Sequence, residues 1–495
     1  MAKRPSTLPL NLQAPRAGTA LYRWFYEELR AAILAGRLRP GERLPATREL
    51  AAEYGLSRPT LVAAFEQLRS EGYVEGKVGS GTYVSQTLPE ELLQAPRTNL
   101  TAKPRRPTIP LSAYARRLRP LPTAEPRVAR AFRASQPALD AFPMGLWAQV
   151  AARRLRRASA NLLAGGEALG YRPLREAVAD YLNTSRGVRC SADQVLIISG
   201  VQEALDRTAH LLLDPGDPVW MEVPGYPGAA STFRAVGAKI CPVPVDAEGL
   251  DLEAGRRRWP NPRLVYLTPA HQFPLGITMS LPRRLSVLEW ARQSRSFVFE
   301  DDYDGEYRYR GRPIPALAGL DRAGVVIFAG SFTDTLFPAL RLGYLVVPAD
   351  MVGIFAAAGS LSTHHPPLID QAVLCDFIRE GHFARHVRRM RELYAERLSV
   401  LLEASGQRLA GWLELRNVEA GLRTVGWLRQ GISAERAARA AAEHRVEVVP
   451  LSRYAYGRSN RNGLVLGFAA VDGRELTAGV ERLAQALEGC LRGSA

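Results

Sequence analysis

Gln194-Val195-Leu196-Ile197-Ile198-Ser199-Gly200-Val201-Gln202-Glu203-Ala204 is the stretch from which the architecture of most of the chain can be read. A short run rich in β-branched residues passes into a turn of small residues and then into helix formers, which predicts a strand, a tight turn and a helix. The order recurs at Pro218-Val219-Trp220-Met221, Leu264-Val265-Tyr266-Leu267 and Ser296-Phe297-Val298-Phe299, with glycine-terminated helical stretches between. Alternating strands and helices predict an α/β fold from residue 128 to residue 495: a mostly parallel sheet with helices on both faces. In such sheets ligands bind at the carboxyl ends of the strands. Chemically distinctive residues stand there. Ser199 to Ala204 opens a helix, where backbone amides and the helix dipole favour a phosphate. Tyr226 follows the second run, Asp301, Asp302, Tyr303 and Asp304 follow the fourth, and Ser331 to Arg341 follow a further strand ending near Phe328.

At 495 residues the chain exceeds what one core usually serves, which predicts several domains. Its 46% hydrophobic and 23% charged residues fit a globular protein. No apolar run approaches the roughly 18 residues that cross a bilayer. Met1 to Pro15 lacks the apolar core of a secretory signal, so a cytoplasmic location without membrane attachment is the expectation. Cys190, Cys241, Cys375 and Cys490 are widely spaced, without zinc or redox spacing, and read as free thiols with no metal site. The net charge of +16 suits a polyanionic partner or reflects a basic proteome. Residues 86–127 carry eight basic and three acidic side chains among many prolines. They read as an extended basic linker, able to attract phosphates or simply kept soluble by arginine. Lysine occurs only at positions 3, 77, 103 and 239.

Residues 15–85 form a separate pattern. Leu21, Phe25, Leu29 and Ile33 share one face of a helix stopped by Gly36. A second short helix runs through Arg48 to Gly55. A third starts at Ser57, a suitable N-cap, with Pro59 in its first turn. Leu61, Ala64, Phe65 and Leu68 then form a buried stripe that turns Arg58, Val62 and Arg69 outward. Two short strands around Gly79-Ser80-Gly81 complete a winged helix-turn-helix. The motifs Leu44-Pro45-Ala46-Thr47-Arg48-Glu49-Leu50-Ala51, Gly55-Leu56-Ser57-Arg58-Pro59-Thr60 and Gly79-Ser80-Gly81-Thr82 resemble the GntR-type DNA-binding domain over Leu21 to Val84. That resemblance implies double-stranded DNA contacts by Arg48, Ser57, Arg58 and Thr60 and a wing at Gly79, Gly81 and Thr82. Forked arginines, hydroxyls at a helix start and glycines that admit close backbone approach suit those roles.

The strand-end groups, in their order, resemble a fold-type I aminotransferase, with its smaller C-terminal α+β subdomain. Joined to the winged helix, the whole resembles the MocR-type regulators of the GntR superfamily. Thr268-Pro269-Ala270-His271-Gln272-Phe273-Pro274-Leu275-Gly276 and Asp301-Asp302-Tyr303-Asp304 carry that likeness. The resemblance implies a homodimer and a pyridoxal phosphate site. Val201, Gln202, Ser331 and Arg341 would hold the phosphate, Tyr226 would stack on the ring, Asp301 would pair with the ring nitrogen and Tyr303 would reach the ring hydroxyl. His271 reads as a group near the ring or as a packed loop residue. The departure is Asp334, which stands where that family carries its cofactor lysine. A carboxylate cannot condense with an aldehyde, so no covalent cofactor is expected; noncovalent pyridoxal or pyridoxamine phosphate stays compatible. Lys239, at the start of an edge-like strand, is no substitute, and Gly463-Leu464-Val465-Leu466-Gly467 lacks the arginine that would hold a substrate carboxylate. The expected function is sequence-specific transcription control at a DNA operator, with a catalytically inactive aminotransferase-like domain that dimerises and senses a small effector. Two other readings stand beside it: a lysine-independent enzyme of the pyridoxal phosphate type, and a DNA-binding dimer indifferent to ligands.

Overall fold

The computed structural model describes residues 20–77, 80–89, 110–118, 129–134, 136–311, 314–429, 431–456 and 461–492. The chain divides into two compact units, one ending at Ile109 and the other beginning at Pro110.

The first unit is the winged helix that the sequence pattern predicts. Helices α1 (Leu21–Leu34), α2 (Thr47–Tyr54) and α3 (Arg58–Ser70) precede strands β1 (Val74–Lys77) and β2 (Gly81–Val84). The strands pair antiparallel, with Val74 opposite Val84. Phe25, Leu29, Leu50, Leu61, Ala64, Leu68 and Val84 have no exposed surface, so all five elements share one core. Gly55 ends α2 in a left-handed conformation (φ +63°), which a side chain would resist. Ser57 then starts α3: its Oγ accepts from the Thr60 amide (3.3 Å), and Pro59 lies in the first turn. The predicted stripe Leu61, Ala64, Phe65 and Leu68 is buried, and Arg58, Val62 and Arg69 are exposed.

The second unit contains an eight-stranded sheet of β3 (Val195–Ile198), β4 (Pro218–Val223), β5 (Lys239–Asp246), β6 (Gly249–Leu250), β7 (Leu264–Leu267), β8 (Phe297–Asp302), β9 (Val326–Ser331) and β10 (Gly343–Val346). Their spatial order is β3-β10-β9-β8-β7-β4-β5-β6. Strands β5, β4, β7, β8 and β9 run parallel, while β10 is antiparallel to both neighbours. The two-residue alternation sorts side chains by face. Leu196 and Ile198 pack with Leu205 and Phe233 of the helices Val201–Leu212 and Pro227–Val236. Val195 and Ile197 pack on the other face, under Leu174, Val178 and Phe377. Trp220 and Trp290 stack at 4.3 Å beneath the helix Leu281–Ser294. A second, antiparallel sheet holds β11 (Leu413–Leu415), β12 (Arg423–Leu428), β13 (Val449–Pro450) and β14 (Gly463–Gly467) in the order β11-β12-β14-β13. It shares a core with the helices His382–Arg408, Ala434–Glu443 and Gly473–Arg492, forming the smaller α+β subdomain.

One sequence expectation needs correction. Residues 86–127 do not read throughout as an extended linker, because Ala113–Arg117 form a helix. Ser112 Oγ accepts from the Ala115 amide (3.1 Å), Tyr114 packs against the main core, and Arg117 Nε donates to the Ala235 carbonyl (3.0 Å). A serine cap and one aromatic anchor locally override a proline-rich composition. Residues 90–109 and 119–128 lie outside the described residues.

Phe25→Ala is expected to cost about 3–5 kcal/mol of winged-helix stability, because it empties a fully buried site. The measurement is amide exchange, which should accelerate across α1 and α3.

Candidate functional site

A cavity of about 240 Å³ lies at the carboxyl ends of β3, β8 and β9. All seven residues expected to bind a cofactor line it: Val201, Gln202, Tyr226, Asp301, Tyr303, Ser331 and Arg341. Asp334 lines it as well. Residues spread over 141 positions of sequence meet because parallel strands deliver their following loops to one edge.

At one end, Gly200 precedes the helix Val201–Leu212 with φ +114°, and a Cβ there would stand 3.4 Å from Arg341 Nη2. Glycine thus allows both the sharp strand-to-helix turn and the approach of the guanidinium. Arg341 itself adopts φ +51°, a left-handed conformation that costs a residue with a Cβ about 1–2 kcal/mol. Ser331 ends β9, and its Oγ accepts from the Thr333 amide (3.1 Å). A helix start, a guanidinium and a hydroxyl converge here, the donor set for a phosphate.

The walls are aromatic and acidic. Gln202 Nε2 donates to the Tyr226 hydroxyl (2.9 Å), which fixes that ring at the cavity, and Phe273 meets it edge-on at 5.5 Å. The Tyr266 hydroxyl donates to Asp301 Oδ2 (2.7 Å), whereas Asp301 Oδ1 is buried with no partner among the described residues. Burial pushes the Asp301 carboxyl up to about 7, with Tyr266 opposing and the carboxylates of Asp302, Asp304 and Asp334 reinforcing the shift. The Tyr303 hydroxyl donates to the His271 carbonyl (2.7 Å), so it meets a ligand as an acceptor. His271 is buried behind Tyr303 and is not among the residues that line the cavity. Its Nδ1 donates to Asp304 Oδ2 (2.9 Å), and the ring lies where any side chain at Gly421 would collide with it.

Asp334 keeps 13% of its side chain exposed. Burial pushes its carboxyl up to about 7, opposed by the guanidinium of Arg423. Arg423 is the residue that sequence reasoning missed. It lies on β12 opposite Gly467, is almost wholly buried, and lines the cavity. Its Nη2 stands 4.0 Å from both Asp304 Oδ2 and Asp334 Oδ2, and the guanidinium carbon lies 4.7 Å from the Phe273 ring centre and 5.0 Å from that of Tyr303. Its Nε and Nη1 have no partner among the described residues. Gly463–Gly467 indeed supplies no arginine, but the neighbouring strand does. The available signal was one charge in the apolar stretch Gly421-Leu422-Arg423-Thr424-Val425. Among the described residues no lysine lines the cavity: Lys239 opens β5, pairs with Pro218, and places its Nζ 5.0 Å from the centre of the Trp259 ring.

In the first unit, Arg48 on α2 and Arg58 at the start of α3 are exposed. Ser57 and Thr60 side-chain oxygens bond each other at 2.7 Å. Gly81 and Thr82 open β2, whereas Gly79 lies outside the described residues.

Residues 21–84 match the bacterial regulatory proteins of the gntR family, and residues 138–483 match aminotransferase class I and II. The chain is 41% identical to the probable rhizopine catabolism regulatory protein MocR of Rhizobium meliloti, over 95% of this chain and 94% of that protein. Its second unit resembles the α-aminoadipate aminotransferase LysN of Thermus thermophilus, complexed with N-(5'-phosphopyridoxyl)-L-leucine (31% identity, TM-score 0.68, 74% of this chain and 93% of that one). It also resembles the Pyrococcus horikoshii kynurenine aminotransferase (27% identity, TM-score 0.71, 77% and 97%). A gntR-type winged helix joined to a class I and II aminotransferase domain, with near full-length similarity to MocR, places this chain in the MocR family of DNA-binding transcriptional regulators.

Proposed function

We propose that this regulator binds a phosphorylated vitamin B6 compound in its aminotransferase-like unit without a covalent bond, uses it as an effector, and performs no amino-group transfer. The observation that carries the reading is Asp334, a carboxylate on the wall of a cavity that no lysine lines among the described residues. The remaining residues fit such a ligand. Val201, Gln202, Ser331 and Arg341 would take the phosphate, Tyr226 the ring face, and the unpartnered Oδ1 of Asp301 the ring N–H. Tyr303 would accept from the ring hydroxyl. When tied to an amine, this vitamin supplies an electron sink; here the tie has no partner side chain. The Asp334 carboxylate disfavours a second anion and favours an ammonium, so the aminomethyl form is the preferred ligand. Arg423, 4.0 Å away, limits the repulsion that Asp334 exerts on the phosphorylated compound as a whole.

The reading includes a homodimer. Met144, Leu155, Leu163 and Leu361 of the second unit are each more than half exposed, surface that a second copy would cover. Two winged helices would then face paired half-sites on the operator. An effector that binds one arrangement of the dimer more tightly shifts its population.

Three outcomes test the reading. Incubated with pyridoxal phosphate and then borohydride, the wild-type protein should show no mass increment, Asp334→Lys should gain one, and wild type should still bind pyridoxamine phosphate in calorimetry. An increment on wild type, or amino-group transfer by it, would overturn the reading. Arg58→Ala should weaken binding to an operator fragment selected from genomic DNA by about tenfold or more, as loss of a forked base or phosphate contact requires. The third outcome concerns pH. The Asp334 carboxyl moves from its ordinary 3.8 to about 7 on folding. The native state therefore keeps a proton that the unfolded chain gives up, and the group's contribution is most favourable below about pH 4 and is lost as pH rises to about 7. In urea titrations, the stability of Asp334→Asn relative to wild type should rise across that interval.

A further inference from the structure

The segment Pro110–Leu118 brings the chain into the second unit, and it is fastened to two helices that start at the cavity: Val201 and Gln202 of the first line it, as does Tyr226, the residue that precedes the second. Tyr114 lies 5.7 Å, ring to ring, from His210 in the last turn of the helix Val201–Leu212. Arg117 donates to the Ala235 carbonyl (3.0 Å) in the last turn of the helix Pro227–Val236, where a cation also meets the negative end of the helix dipole. The same two helices are joined at the cavity end. Gln202 Nε2 donates to the Tyr226 hydroxyl (2.9 Å), and Gln202 Oε1 accepts from Thr232 Oγ1 (3.2 Å). From Gln202 to His210, and from Pro227 to Ala235, the helical rise is roughly 12 Å. One pair of helices thus carries hydrogen bonds toward the ligand end and the incoming chain at the other.

We propose that the helix Ala113–Arg117 is a coupling strut that reports occupancy of the cavity to the chain leading to the winged helix. The inference rests on the ligand reading above. A ligand held by Gln202 and Tyr226 fixes the two helices relative to each other, and the fixed pair is the platform on which Tyr114 and Arg117 dock together. A helix of five residues has no stability of its own in water, so its docked population follows the quality of that platform. By linkage, whatever factor the ligand adds to docking, docking adds to ligand affinity.

The test uses the full chain and pyridoxamine 5'-phosphate, with hydrogen exchange read by mass spectrometry over residues 110–118 and affinity read by calorimetry. In wild type, saturating ligand should slow exchange across Ala115 to Leu118 by about fivefold or more, the lower range of allosteric coupling. Thr232→Val removes one of the two hydrogen bonds that join the helices, that of the hydroxyl shared with the Gly228 carbonyl, without altering a cavity-lining residue; it should bind the ligand yet show a smaller slowing. Arg117→Met should release the segment and weaken the ligand by up to the factor seen in wild type. Ligand binding without any change in exchange overturns the strut and leaves the ligand reading intact, as does release of the segment in Arg117→Met at unchanged affinity. Absence of ligand binding in wild type overturns both.

Discussion

Four carboxylates, Asp301, Asp302, Asp304 and Asp334, are gathered by the carboxyl ends of β8 and β9 and the loops that follow, and three of them are almost wholly buried. Such a cluster is tolerable in a protein interior only with cations and hydrogen-bond donors built around it. Arg186 pairs with Asp302 at 2.5 Å, His271 with Asp304, Tyr266 with Asp301, and Arg423 stands between Asp304 and Asp334. The elements that supply these partners are far apart in sequence. Arg423 comes from the small antiparallel sheet, so neutralising the cavity also fastens the smaller subdomain to the parallel sheet. At Arg423, charge balance and subdomain packing are therefore one constraint, and replacing it disturbs both.

If position 334 is the family's lysine position, as proposed, its aspartate does more than withhold a nucleophile. Relative to a lysine it removes one positive charge and adds a negative one beside carboxylates already present. Burial drives Asp334 and Asp301 to hold protons near neutrality, and Arg423 is what draws Asp334 back toward ionisation. A guanidinium suits that position because it stays charged when buried and rests against the rings of Phe273 and Tyr303. A lysine in its place would release its proton more readily on burial and would also offer a reactive amine.

The parts of this arrangement that follow from local pattern were legible in the sequence. The strand, turn and helix pattern predicted that the groups after the strands would meet, because parallel strands impose that convergence whatever the intervening lengths, and the family resemblance singled out Val201, Gln202, Tyr226, Asp301, Tyr303, Ser331 and Arg341 among them. The winged helix was legible for the same reason, down to the buried face of α3. What escaped was set by tertiary contact. Arg423 reaches the cavity from a strand 89 positions beyond Asp334, and nothing within its own stretch encodes that approach. The Tyr303 hydroxyl is committed to the His271 carbonyl, a partner determined by loop packing. Ala113–Arg117 was hidden because composition averages over a segment, whereas docking depends on a single ring and a single guanidinium.

The two kinds of information bear on function differently. Residues at strand ends define what chemistry the cavity can hold, since their identity and order fix the donor set. The tertiary partners decide whether that cavity works as a catalyst or as a receptor. An enzyme of this architecture needs an amine whose proton can come and go beside the ring. In the proposed reading that place belongs to Asp334, a carboxylate 4.0 Å from the Arg423 guanidinium, and neither group can form the covalent tie. Under the proposed reading, binding energy from phosphate, ring and ammonium contacts would act on the balance between conformations of the protein. A receptor needs its ligand contacts to lie on elements that extend beyond the site. The helices Val201–Leu212 and Pro227–Val236 satisfy that condition, because Val201, Gln202 and the N-cap Tyr226 meet the cavity and the last turns of both hold the segment through which the chain enters this unit.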